Sequence, residues 1–483
     1  MKPSEYAEFD ALGLADLIAT RQTSVKDVAD AAAATLDRVN PQVRAVIEVY
    51  EDNLDRPGEA RLGRGPFRGV PYLVKDVGQH FAGRRVEYGS RLCQGFVVKE
   101  DDFFAKLVRE SGVNLVGRSN TPEFSMALCA DNLLYGATSN PWRKGYSTSG
   151  SSGGAAAAVV SGIVPVAHGS DMGGSTRGPA SWCGTIGLQP SRGRVSCGPG
   201  ESEHGYGMAQ SFAITRSMRD TAAMLDCLSV PQPGDPYVVQ RPALSYRHHL
   251  EPQARPLRIA YSAKPLMDAP VDPEIAAAIE STAKLLRGHG HHVIEAAPPI
   301  DLATIDEACL HVWYFGFDAY LDDLGARNGR KVGPETVEAA TLRFYEFAKR
   351  QTCQQFFAAM DRFNVIRRQV GRFFAEHDIW LTPTTAQVAQ PNGVYGMNIA
   401  LPPEEFLVHE QRPCQFMILY NVTGQPAISL PLAMHSNGLP IGIQLGARPA
   451  EEHLLIELGS LLEQERPWRN RKPPLHVSRL GAA

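Results

Sequence analysis

Between Gly145 and Gly200 the chain carries 14 glycines in 56 residues, against 44 in all 483, and serine and threonine are dense in the same stretch. Glycines flanking serines let backbone N–H groups converge on one point, as an anion or a developing oxyanion requires. A flexible linker of this composition would lack apolar runs. Here residues 155–160 read as a small-residue helix and residues 164–167 as a buried strand, so the segment is a site rather than a tether. Other chemical patterns are weaker. Residues 150–154 spell G-x-S-x-G around Ser152, but a nucleophile elbow follows a strand, and residues 141–149 are too polar and broken to form one. Ser281 and Lys284 match S-x-x-K inside an ordinary helical run, without the S-D-N or K-T-G partners of that motif. His289, His291 and His292 cluster, yet no nearby carboxylate or cysteine completes a metal site at the usual spacing, and a helix-to-strand turn explains them.

The elements that must position this segment alternate between helix and strand. Leu12, Leu14, Leu17 and Ile18 mark one amphipathic helix, and Ser24 caps a second that carries Val25, Val28, Leu36 and Val39. Residues 69–76 read as a short apolar strand ending in the charged pair Lys75 and Asp76. A helix over 102–111 leads through Gly112 into a strand over 112–117, and the same order recurs at 273–287 and 292–295. Such alternation predicts an α/β sheet with helices on its faces. Six prolines between Leu228 and Leu257 mark a connector over 229–257 that crosses a surface. Residues 339–374 read as helical, 379–381 as a returning strand, 427–430 with 440–445 as a hairpin, and 451–463 as a closing helix.

Composition narrows the classes. With 48 basic and 52 acidic residues the net charge is −4, and 43% of residues are hydrophobic, which excludes disorder and lacks the basic excess of nucleic-acid binding. No run of 18 apolar residues occurs, and Lys2, Glu5, Glu8 and Asp10 break up the start, so neither a secretion signal nor a membrane span is expected. The closest two of eight cysteines, Cys183 and Cys197, are 14 residues apart, which excludes C-x-x-C knuckles and a dense disulfide framework and points to a reducing cytoplasm.

Residues 150–154, 169–177, Pro179, Ala180, Cys183, Gly184 and 187–190 together resemble the amidase signature family. The likeness extends in family order through residues 69–71, Lys75 and Asp76, 120–124, 135–142, 381–384 and 421–445, and so covers about the whole chain. The resemblance implies one domain over 1–483 with a catalytic core at about 65–228, built on a large mixed, twisted β-sheet covered by helices on both faces. It implies a triad of Ser175 as nucleophile, Ser151 as a relay after a cis peptide, and Lys75 as general base. The backbone amides around Met172, Gly173, Gly174 and Ser175 would form the oxyanion hole. Ser152, Asp171 and Arg177 take supporting roles, the last two bracing the loop by hydrogen bonds.

The chemistry is sound on its own terms. A serine hydroxyl needs a base, and no histidine here is spaced to nominate itself. A lysine serves when burial depresses it from about 10.4 to about 7–8, provided that Asp76 points the other way along the strand. A hydroxyl both donates and accepts, so Ser151 can pass a proton between Lys75 and Ser175. The aromatic run from Cys309 to Phe317 and the segment from Met126 to Cys129 either pack the core or line an apolar pocket, with Met126, Cys129, Cys309 and Trp313 as pocket candidates.

Ser149 departs from the family's usual glycine, Met172 from a small hydroxyl residue, Gly178 from a branched apolar residue, and Gln189 from a lysine; Met172 and Gly178 can reshape the pocket. Within the family, residues 165–169 and 191–196 are similar to the bacterial amidases that open 6-aminohexanoate cyclic dimers. The expected activity is hydrolysis of a small, apolar or aromatic, linear or cyclic carboxamide, with water as co-substrate and no cofactor or metal. An aryl ester or carbamate hydrolase with the same triad, and the amidase subunit of a glutamine-dependent amidotransferase, are the alternatives. Neither nucleic acid nor membrane is an expected partner, and a homodimer is a family-level expectation.

Overall fold

The computed structural model describes residues 1–59, 62–251 and 255–480; Pro252 of the connector lies outside them. Eleven strands form one sheet: β1 (Val46–Val49), β2 (Pro71–Lys75), β3 (Asn114–Ser119), β4 (Val166–Asp171), β5 (Ile186–Gln189), β6 (Gln210–Thr215), β7 (Arg258–Tyr261), β8 (His292–Glu295), β9 (Ile379–Pro383), β10 (Ala427–Met434) and β11 (Pro440–Ala447). Their spatial order is β1-β3-β2-β4-β6-β5-β10-β11-β9-β7-β8. The sheet is mixed: β3, β2 and β4 run parallel, as do β9, β7 and β8, and the remaining pairs are antiparallel. Every residue of β2, β3, β5, β6, β9 and β11 is buried, so this α/β sheet is covered on both faces.

Local chemistry sets the covering helices. Ser24 accepts from the Asp27 N–H and Asp27 answers to the Ser24 N–H, a capping box that starts the helix Val25–Val43. The helical stretch expected over 339–374 is two helices, Ala339–Ala348 and Cys353–Glu376, because Thr352 and Gln355 form a second capping box that starts the chain afresh. The connector joins strands of the same sheet, since β5 on one side of it pairs with β10 on the other. Its prolines exclude strands, and it settles through a turn at Tyr246–Leu250, whose Tyr246 is buried. Among the described residues no helix is long and apolar enough to cross a membrane.

The parallel trio sets up the site. Tyr72 and Leu73 of β2 sit in register with Val166 and Ala167 of β4, so both strands end at the same edge. The residues delivered there are Lys75 from β2 and Ser170 with Asp171 from β4. Carboxyl ends of parallel strands are where open α/β sheets place ligands.

Candidate active site

Lys75 is fully buried at the end of β2. Its Nζ lies 2.7 Å from Ser151 Oγ and 2.9 Å from Ser170 Oγ, and its backbone N–H donates to His168 Nδ1 at 3.3 Å. Burial pushes the amine down from its ordinary value to about 7, with Asp171 opposing the shift. Asp76 does not neutralise it: its carboxylate accepts from the Glu87 and Gly89 N–H groups at 2.7 and 2.9 Å and pairs with buried Arg118 at 2.5 Å. Arg118 also binds Glu87 and Glu48, so the strand-end carboxylate is held in a separate ionic network.

Ser151 follows a cis peptide at Gly150–Ser151. Gly150 is required by close approach, since a β-carbon there would collide with the carbonyl oxygens of Ala127 and Cys129. Ser149 has φ +62°, which explains why a glycine suits that position. Ser152 is committed elsewhere: its Oγ accepts from the Ser170 N–H and donates to the Ser170 carbonyl, both at 3.2 Å. Its N–H donates to the Ser175 carbonyl at 3.1 Å, tying the start of the buried helix Gly153–Ser161 to the loop after β4.

That loop is held from one side by Asp171 and Arg177. Asp171 accepts from the Gly174, Thr176 and Arg177 N–H groups at 2.7, 3.1 and 3.3 Å and from Arg177 Nε and Nη2 at 3.0 and 2.9 Å. Burial alone would raise this carboxyl, but Arg177, Asn421 and the Thr176 N–H outweigh it and hold it at about 2. Arg177 reaches on to Met417 O, Gln444 Oε1 and Asn421 Oδ1, and Asn421 Nδ2 returns to Asp171 at 2.9 Å. One of the four expected oxyanion donors is already engaged. The Gly174 N–H is spent on Asp171, whereas those of Met172, Gly173 and Ser175 have no partner among the described residues.

Ser175 is half-buried and lines a cavity of about 70 Å³ with Ser125, Met126, Met172, Trp313, Glu410 and Cys414 among its neighbours. The structure brings Lys75 and Ser151 together; Ser175 Oγ makes no side-chain hydrogen bond among the described residues. Of the four pocket candidates, Met126 and Trp313 are on the cavity wall. Cys129 and Cys309 are not: both are buried in the apolar core, and the Cys129 thiol turns to the Asp131 carbonyl at 3.8 Å. Ser170, Glu410 and Asn421 escaped the sequence reading. Ser170 sits one residue before Asp171 at the end of β4, whereas Glu410 and Asn421 arrive from distant helices and leave no local signal.

The geometry has counterparts among known proteins. A family model described as amidase matches residues 27–456. The chain belongs to the amidase family. This amidase is 35% identical over 481 residues to the 6-aminohexanoate-cyclic-dimer hydrolase of Paenarthrobacter ureafaciens, covering 96% of each protein. It is 30% identical over 501 residues to the lipoamidase of Enterococcus faecalis, covering 97% of this amidase and 66% of that protein. The solved structure of 6-aminohexanoate cyclic dimer hydrolase complexed with substrate superposes with a TM-score of 0.92 at 32% identity, over 97% of this amidase and 99% of that chain. The amidase signature fold expected from the sequence is therefore the fold of the protein.

Proposed function

We propose that this amidase hydrolyses a carboxamide C–N bond through an acyl-enzyme on Ser175. The observation that carries the reading is the fully buried Lys75 amine, held at about 7 and 2.7 Å from Ser151 Oγ. A neutral amine has a lone pair for the Ser151 proton, and Ser151 can take that of Ser175 in the same event. Ser175 Oγ then attacks the carbonyl carbon, and the oxyanion faces the free N–H groups of the 172–175 loop, foremost those of Met172 and Gly173. Collapse breaks the C–N bond as the proton returns through Ser151 to the leaving nitrogen. Water, activated by the same relay, releases the acid and restores Ser175.

Ser170 supports the base by occupying a second direction at Nζ, and Asp171 with Arg177 and Asn421 fixes the donor loop. The walls of Met126, Leu128, Met172, Trp313 and Cys414 favour an apolar group beside the scissile amide. The relatives that open cyclic amides support a small linear or cyclic amide as substrate. We also read the 483 residues as one catalytic domain, because a single sheet runs through it, and place it in the cytoplasm on the strength of its eight free cysteines.

The test combines a panel of amides, read by mass spectrometry, with a serine-directed fluorophosphonate. The unaltered chain is expected to be labelled at Ser175 and to release acid and amine, and Ser175→Ala to do neither. Retention of full turnover by Ser175→Ala, with loss in Ser152→Ala, would overturn the assignment.

A further inference from the structure

The cavity beside Ser175 contains chemistry that the acyl-transfer steps leave unused. Glu410, on the helix Pro403–Cys414, and Gln411 next to it both line the cavity, as does Trp313 from the helix Leu302–Tyr314. Each has a buried polar atom without a partner among the described residues: Glu410 Oε1, Gln411 Oε1 and Trp313 Nε1. The other Glu410 oxygen accepts from the Leu128 N–H. No lysine or arginine lines the cavity.

A buried carboxyl without a cation is expensive to maintain, and in native proteins such groups mark sites whose partner arrives from outside. Burial pushes Glu410 up to about 8, opposed only by the Leu128 N–H, so its ionised form lacks compensation within the chain. A cation entering the cavity would supply it. The surrounding methionines and leucine suit the alkyl stem of such a ligand, and Gln411 Oε1 offers a second acceptor.

We propose that Glu410 is a specificity-determining residue that receives a primary ammonium group carried by the amide substrate, with Gln411 Oε1 as the second acceptor. The substrate class is thus an amide that bears an aliphatic amine at some distance from the bond to be cut. The proposal rests on the reading that amide substrates enter this cavity, and it requires no change in the chemistry at Ser175.

The test is a binding measurement on the Ser175→Ala chain, which holds amides intact. Calorimetry compares 4-aminobutyramide with pentanamide, which replaces the ammonium by a methyl group, and extends the comparison to longer pairs of the same design. The expected result is binding of the amino member about tenfold or more tighter, as for a hydrogen bond to a charged group. In the Ser175→Ala, Glu410→Gln chain the two members should bind alike. Equal affinities in Ser175→Ala, or discrimination that survives Glu410→Gln, overturn the proposal. The first comparison needs no change at 410, so it decides the matter even where Glu410→Gln does not fold. Failure of the hydrolytic reading would show separately, as absent turnover of every simple amide by the unaltered chain.

Discussion

Replacing Lys75 by methionine tests the buried amine through stability rather than catalysis. In the folded chain the amine sits at about 7, against an ordinary value of 10.5 in the unfolded chain. At about 1.4 kcal/mol per pH unit, that difference is ~5 kcal/mol of destabilisation stored in the native state. The sign follows from proton counting. Between the two values the unfolded chain binds a proton that the folded chain does not, so folding becomes more favourable as pH rises. The full penalty is present below about pH 7 and is lifted as pH approaches 10.5. Methionine cannot titrate. It removes the amine's contacts with Ser151 and Ser170, a constant loss of about 1 kcal/mol each. The difference between unaltered and Lys75→Met chains must therefore move with pH: from pH 7 to pH 9 the unaltered chain gains ~2 kcal/mol relative to the variant. Guanidinium denaturation midpoints at half-unit pH steps measure it. A difference that stays flat over that range would refute the depressed amine.

Three further outcomes follow from the site. Ser151→Ala removes the relay between Lys75 and Ser175 and is expected to lower kcat by roughly 10²- to 10⁴-fold, measured by amide turnover with folding verified by circular dichroism. Arg177→Met leaves the buried Asp171 carboxylate without its cation, and denaturation should show a loss of ~3–5 kcal/mol. Trp313→Ala should raise KM by opening the cavity wall, whereas Cys309→Ala, buried in the core nearby, should lower the melting temperature and leave KM where it was.

Elements whose causes lie within a few residues were legible in the sequence. Ser24 with Asp27 announces a helix start, and the glycine-rich stretch from 145 to 200 announces a place where backbone must come close to something. The capping role of Thr352 was equally local but was overridden by the helical pattern on both sides of it. What the sequence conceals is proximity across distance. Ser151 meets Lys75 from 76 residues away and Asn421 meets Asp171 from 250, and only the strand order brings them together. Cys129 and Cys309 show the reverse error: their neighbours Met126 and Trp313 reach the cavity, but Cys309, a turn earlier on the helix of Trp313, and Cys129 are packed in the apolar core, and sequence nearness does not separate wall from core. Glu410 was invisible because a glutamate in a helix is ordinarily solvated, and nothing local says that this half-buried one turns a carboxyl oxygen into the cavity.

The most direct measurement of the proton path is the pH dependence of Ser175 phosphonylation by a fluorophosphonate, which needs no knowledge of the substrate. In the unaltered chain the rate should climb tenfold per pH unit at acid pH and level off above about 7, as Lys75 loses its proton. In Lys75→Met the rate should be orders of magnitude lower and show no inflection there. An unchanged profile in that variant would mean that some other group takes the proton, and the account given for this active site would be wrong.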